Sequence, residues 1–366
     1  MADDSTGRRQ MISLADFEAV AEQKLPAGPY GYYAGGAGDE ITLRDNVAAW
    51  SRLAIAPRML TGVGQRDPSV TVLGQRRPHP LIIAPMAFQR MAHRDGEIAT
   101  AQAAARTQTP MCLSTLATTG PDALAEAVPE CSRWFQLYVL RDRGVTRELV
   151  ARAVEHGYEA LVVTVDLPIM GLRERDLRSG VNAAASSVAS AHSAGAQGAM
   201  TPADFAGLID PDLRWRDVER FAAESSLPVL VKGILTAEDA RLAAGIGVSG
   251  VVVSNHGGRQ LDTVLSGADA LPAVLDAVGD QLDVLVDGGI RRGTDVLKAL
   301  ALGARAVMIG RPVLWGLAAD GAAGAAQVLE ILLAELDSAL ALSGAGRASA
   351  LDPSFVTAAP WVARGQ

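Results

Sequence analysis

Eight short apolar runs, each giving way at once to polar or glycine residues, constrain this chain more than any other feature. They are Leu81-Ile82-Ile83-Ala84, Met111-Cys112-Leu113, Trp134-Phe135-Gln136-Leu137, Leu161-Val162-Val163-Thr164-Val165, Val229-Leu230-Val231, Val251-Val252-Val253, Val284-Leu285-Val286 and Ala306-Val307-Met308-Ile309. Unbroken aliphatic and β-branched residues over so few positions mark strands buried on both faces. Between most of them lie alanine-rich stretches with helical spacing, at 95–106, 145–156, 237–244 and 294–302. Strand then helix, eight times over roughly 250 residues, predicts a closed (β/α)8 TIM barrel. A doubly wound sheet uses the same units and differs by a reversal of strand order that sequence does not display. With 49% hydrophobic residues but only 4% aromatics, the core must be Ala, Val, Leu and Ile.

Several segments fall outside the repeat. Residues 11–60 precede the first strand and predict an N-terminal helical extension, with a helix over 14–25 and Tyr-Tyr-Ala-Gly-Gly at 32–36. Residues 172–212 separate the fourth and fifth strands by far more than an ordinary loop, which predicts a lid. Its stretch at 180–200, nearly all Ala, Ser and Gly, is expected to be poorly ordered. An amphipathic helix over 323–342 is expected to close the barrel, with a ragged tail after it. The whole chain, 1–366, reads as one domain with the barrel at about 80–320.

A net charge of −8 with no basic stripe argues against nucleic acid. No run approaches the ~20 apolar residues of a membrane span. Residues 1–10 are polar and charged, unlike a secretory leader, so a cytoplasmic location is expected. The two cysteines, Cys112 and Cys131, fit no metal spacing and are expected to be free thiols, Cys112 buried in its apolar run.

In such a barrel the strand C-termini open on one face, and that face carries the active site. Here those ends bring Pro85-Met86-Ala87, Ser114, Gln136 with Tyr138, Thr164 with Asp166, Lys232, Ser254 with His256, Asp287-Gly288-Gly289 and Gly310-Arg311. His256 and Arg259, beside two glycines, pair a proton acceptor near neutral pH with a permanent planar cation. That combination suits deprotonation of a small substrate whose carboxylate is clamped alongside. A lone loop histidine is usually a packing group, but of five histidines only His256 has an arginine and a strand end beside it. After the last two strands, Asp287 to Gly293 and Ile309 to Pro312 offer bare amides and arginine forks where barrels commonly hold phosphate. Lys232 ends an apolar strand as a fixed cation, suited to a cofactor ring that becomes negative on reduction.

The motifs Tyr-Tyr-Ala-Gly-Gly (32–36), Phe-Gln-Leu-Tyr (135–138), Thr-Val-Asp (164–166), Val-Lys-Gly (231–233), Ser-Asn-His-Gly-Gly-Arg-Gln (254–260) and Asp-Gly-Gly-Ile-Arg-Arg-Gly (287–293) carry a resemblance. Over residues 13–344 the chain resembles the FMN-dependent 2-hydroxy-acid oxidase and dehydrogenase family, which includes glycolate oxidase, lactate oxidase, mandelate dehydrogenase and hydroxymandelate oxidase. The likeness implies His256 as base, supported by Asp166, with Arg173, Arg259, Tyr32 and Tyr138 holding the substrate carboxylate. It implies FMN bound by Pro85, Met86, Ala87, Ser114, Gln136, Tyr138, Thr164, Lys232, Ser254, Asp287, Gly288, Gly289, Ile290, Arg291, Gly310 and Arg311. It also implies a homo-oligomer, tetramer or octamer, and with no haem-binding segment or membrane helix in the sequence, molecular oxygen is the expected electron acceptor.

Two departures from the plant glycolate oxidase pattern bear on the substrate. Leu116 stands where that pattern has a tryptophan beside the substrate side chain, and Met86 replaces a threonine next to the flavin. Phe88-Gln89-Arg90 and the glycines at 35 and 36 are similar to the hydroxymandelate oxidase branch. The expectation is oxidation of an (S)-2-hydroxy acid, bulky or aromatic, to its 2-oxo acid with release of hydrogen peroxide. The alternatives are a dehydrogenase passing electrons to a quinone or another acceptor, and a flavin-dependent isomerase.

Overall fold

A computed structural model describes residues 11–179 and 201–361. Each of the eight apolar runs lies on a strand. In chain order these are β1 (Leu81–Ile83), β2 (Met111–Leu113), β3 (Arg133–Leu137), β4 (Leu161–Thr164), β5 (Val229–Ile234), β6 (Gly250–Val253), β7 (Asp283–Asp287) and β8 (Ala306–Ile309). All pair in parallel, and β8 closes onto β1 through Val307 opposite Leu81, so the sheet is a closed barrel. No reversal of strand order exists, and the doubly wound alternative is excluded.

The periodicity that placed the helices also fixes what they bury. α4 (Gly96–Thr107) turns a row of alanines onto the barrel, and so do α10 (Ala237–Gly245) and α12 (Gly293–Leu302). Small residues let helix and strand axes approach closely, which is why so little aromatic volume suffices. α5 (Pro121–Ala127) and α6 (Arg143–Glu155) follow β2 and β3, the helix before β5 is α9 (Trp215–Glu224), and between β6 and β7 runs α11 (Gly267–Val278).

The N-terminal extension forms α1 (Leu14–Lys24), α2 (Ala27–Ala34) and α3 (Ile41–Ser51). α1 packs on the C-terminal helix α13, and Lys24 Nζ donates to the carbonyl of Ala319. α13 (Arg311–Ser343) is two helices that meet at a sharp break at Asp320 and Gly321; the second matches the helix expected over 323–342, and the first, over 311–319, comes in addition to it. The two halves fold back so closely that a Cβ on Gly316 would lie 2.5 Å from the carbonyl oxygen of Gly324. The described residues after it, to 361, are not the ragged tail expected. Val356–Ala358 pairs antiparallel with Leu53–Ile55, tying the two ends of the chain together.

Part of the expected lid is described. It includes α7 (Glu174–Ser179), α8 (Pro202–Ala206) and a bridge from Leu140 to Ile209. The expectation of disorder at 180–200 lies outside the described residues. Among those described, no helix is long and apolar enough to cross a membrane. Both cysteines are free and buried.

Candidate active site

The strand C-termini surround a single cleft. Of the residues singled out by sequence, all but Asp166 and Ser254 line it. Those two stand directly behind it and hold residues that do.

His256 lies just past β6 with φ of +59°, followed by two glycines also at positive φ. A histidine in the left-handed region is uncommon, and the strain is of order 1–3 kcal/mol. The loop is held in place: the His256 amide donates to Ser254 Oγ at 3.1 Å, and Gly258 N to Asn255 Oδ1 at 3.0 Å. Asn255 in turn forms a reciprocal amide pair with Asn46 of α3, at 2.8 and 2.9 Å. Past the end of β4, Asp166 places Oδ1 2.7 Å from His256 Nδ1. A neutral imidazole then carries its proton on Nδ1 and turns the Nε2 lone pair to the cleft, where the Tyr138 hydroxyl stands 3.5 Å away. Burial pushes the imidazole below its usual value, Lys232 and Arg173 add in the same sense, and Asp166 opposes them. The ring is therefore a free base at neutral pH.

Two arginines share this end of the cleft. Arg173 donates from Nε to the Arg259 carbonyl at 2.8 Å and from Nη2 to Gln260 Oε1 at 2.9 Å. Arg259 donates to the carbonyls of Tyr32 and Gly35 and stacks over the Tyr32 ring, 4.7 Å from its centre. Burial and the charge of Arg259 hold the Arg173 guanidinium down at about 10. Two cations forced together without a full complement of acids make a site for an anion. The remaining wall is apolar, with Met86, Leu116, Leu167 and Met170.

At the deep end, Lys232 bridges three neighbouring strands. Its Nζ lies 3.0 Å from Asp287 Oδ2 and donates to Ser254 Oγ at 2.8 Å. Gln136 accepts from Thr115 N at 3.0 Å and from Ser114 Oγ at 3.3 Å. Its Nε2, Thr164 Oγ1 and Asp287 Oδ1 are buried with no partner in the protein. Buried polar atoms are seldom left unpaired, so three around one cleft point to a polar ligand. Toward the far end, Arg311 donates to the carbonyls of Tyr33 and Gly35 at 2.8 and 2.9 Å. Burial and the charges of Arg259 and Arg291 push it down to about 9. A second anion is called for beside Gly288, Gly289 and Gly310.

Several functional neighbours escaped the sequence reading. α3 is wedged against the phosphate-type loop: Trp50 Nε1 donates to Gly288 O at 2.9 Å, and a Cβ on Gly289 would sit 1.7 Å from the Asn46 carbonyl. Gln260 Nε2 donates to the carbonyls of Asp166 and Ile169 at 3.0 Å each, joining the loops after β4 and β6. Gln260 and Asn255 stood inside the 254–260 motif, so a signal existed for them. Asn46, Trp50, Met170 and Leu167 had none.

A closed barrel with a base, an arginine pair and a second anion site on one face is built for an anionic substrate beside an anionic cofactor, and comparison with known proteins gives the class. The chain belongs to the FMN-dependent dehydrogenase family, whose model matches residues 21–358. It is an FMN-dependent oxidoreductase acting on CH–OH donors. It is 48% identical to an L-lactate oxidase of Nostoc sp. over 358 residues, spanning 94% of this chain and 98% of the relative. It is 44% identical to human 2-hydroxyacid oxidase 1, spanning 96% and 98%. A crystal structure of mandelate oxidase superposes with a TM-score of 0.86 at 41% identity, covering 95% of this chain and 98% of that one. The cleft fits FMN on its own evidence: unpartnered amide and hydroxyl groups for a polar heterocycle, and desolvated arginines for a phosphate.

Proposed function

We propose that this protein oxidises an (S)-2-hydroxy acid with a bulky or aromatic side chain to the 2-oxo acid, with dioxygen reduced to hydrogen peroxide. The observation that carries this reading is the His256–Asp166 pair, 2.7 Å apart, opening on the same cleft as Arg173 and Arg259. The oxidase names of the relatives support the reaction class. A flavin isomerase would have no use for a base facing two arginines.

Bound FMN supplies the two-electron acceptor. Ser114, Gln136 and Thr164 would hold its pyrimidine edge, Lys232 would offset charge at N1/O2, and the backbone of Pro85, Met86 and Ala87 would pass its reactive edge. Ser254 and the segment from Asp287 to Arg291, with Gly310 and Arg311, would hold ribityl and phosphate. Arg173, Arg259, Tyr32 and Tyr138 orient the substrate carboxylate. His256 Nε2 takes one proton of the CH–OH unit, and Asp166 stabilises the imidazolium that results. Leu116, Leu167 and Met170 exclude water from the substrate side chain.

The direction of the His256 shift fixes a pH profile. Because its proton affinity lies below the ordinary value, the acid limb of kcat/KM falls below pH ~6.5, the usual imidazole value. Asp166 opposes the shift, so Asp166→Asn moves that limb to still lower pH while lowering kcat. Stopped-flow flavin reduction across pH reads both; a limb moving upward would contradict the assignment. For the substrate, (S)-mandelate is expected to bleach the flavin faster than glycolate under anaerobic conditions, and faster turnover of glycolate would overturn the bulky-acid reading. Rapid reoxidation in air separates the oxidase from a dehydrogenase. A homo-oligomer in the cytoplasm completes the reading, supported by the family resemblance and the two free thiols.

A further inference from the structure

Asp176 sits on α7 behind the arginine pair and has no part in the chemistry above. Its Oδ2 lies 3.8 Å from Arg173 Nη1, and its Oδ1 is buried without a hydrogen-bond partner. At 3.8 Å the contact is a charge pair rather than a hydrogen bond. Arg173 does not need Asp176 for its orientation, because Nε and Nη2 are already fixed by the Arg259 carbonyl and Gln260. What Asp176 contributes is negative charge, in a place where burial disfavours it and Arg259 and Arg173, with a smaller contribution from Arg175, sustain it. The other nearby carboxylate, Asp166, is taken up by His256.

We propose that Asp176 is a positioning residue of an electrostatic kind: it weakens the hold of Arg173 and Arg259 on a carboxylate so that the 2-oxo acid product can leave. This rests on the proposed role of the two arginines. Substrate and product carry the same carboxylate, so a clamp at full double charge would retain both. Since related complexes differ mainly in dissociation rate, a tighter clamp means slower release.

The test titrates oxidised holoenzyme with benzoylformate and with pyruvate, following the flavin absorbance. Asp176→Asn is expected to bind at least one of these anions roughly ten- to fifty-fold more tightly, the size of one partly screened charge a few ångströms away. The uncharged benzoylformamide should bind as in the wild type, and Asp176→Glu should restore wild-type affinity for the anions. Anion binding by Asp176→Asn that is unchanged or weaker overturns the proposal, weaker binding meaning that Asp176 orients Arg173. Arg259→Met serves as control. If it fails to weaken anion binding, the clamp itself is misassigned; if it weakens binding while Asp176→Asn does not tighten it, only the present proposal falls. Should the asparagine variant lose its flavin, Asp176→Ser carries the same test.

Discussion

Replacing His256 with glutamine is expected to slow anaerobic flavin reduction by about 10²–10⁴-fold, the range of a positioned general base. FMN content should stay at the wild-type level, because the side chain lies at the substrate end of the cleft and its partners are Asp166 and Tyr138. Glutamine keeps polar volume but offers no basic lone pair at Nε2. Tyr138 cannot substitute as base, since burial raises its hydroxyl far above the ordinary value. Single-turnover kinetics with saturating substrate isolates the step. A variant reducing its flavin within tenfold of the wild type would remove His256 from the chemistry.

The second large effect is on stability. Lys232→Met is expected to cost about 3–5 kcal/mol, as breaking a buried ion pair from one side does. The pair with Asp287 is almost wholly enclosed, with 5% and 10% of the two side chains exposed. Burial alone would lower the ammonium's proton affinity; Asp287 and Asp166 more than reverse it, so the lysine is charged. Methionine leaves Asp287 without its cation, with one of its oxygens already unpartnered. The double variant Lys232→Met/Asp287→Leu should recover much of the loss, because it removes both desolvated charges together. Denaturant midpoints of the apo forms of the wild type, Lys232→Met, Asp287→Leu and the double variant measure this. Equal midpoints for single and double variants would show that the two charges are not coupled.

Much of this architecture was legible in the sequence because a parallel barrel writes itself locally. A strand buried on both faces must be apolar throughout, so Val251 to Val253 and Leu161 to Val163 announce themselves. The first polar residue after each run then falls at the open face, which is how Lys232, Asp287 and Ser114 were found together. Long-range packing leaves no such trace. Asn46 and Trp50 sit in an unremarkable helix, and their partners Asn255 and Gly288 lie more than two hundred residues away. The start of α13 was missed because Asp320 and Gly321 interrupt the helical pattern, and only the stretch beyond them reads as a continuous amphipathic face. Asp176 was hidden among Arg173, Arg175 and Arg178, where an acid on a short charged helix looks like a solvated surface.

The wedge formed by α3 has a consequence for biosynthesis. A ribosome delivers Asn46 209 residues before Asn255, and Trp50 238 residues before Gly288. The earliest helices must wait, docked on nothing final, until the last barrel strands emerge and give them their seats. Coenzyme capture is therefore a closing act of maturation, gated by completion of the polypeptide, and translation products ending before β7 should accumulate without flavin.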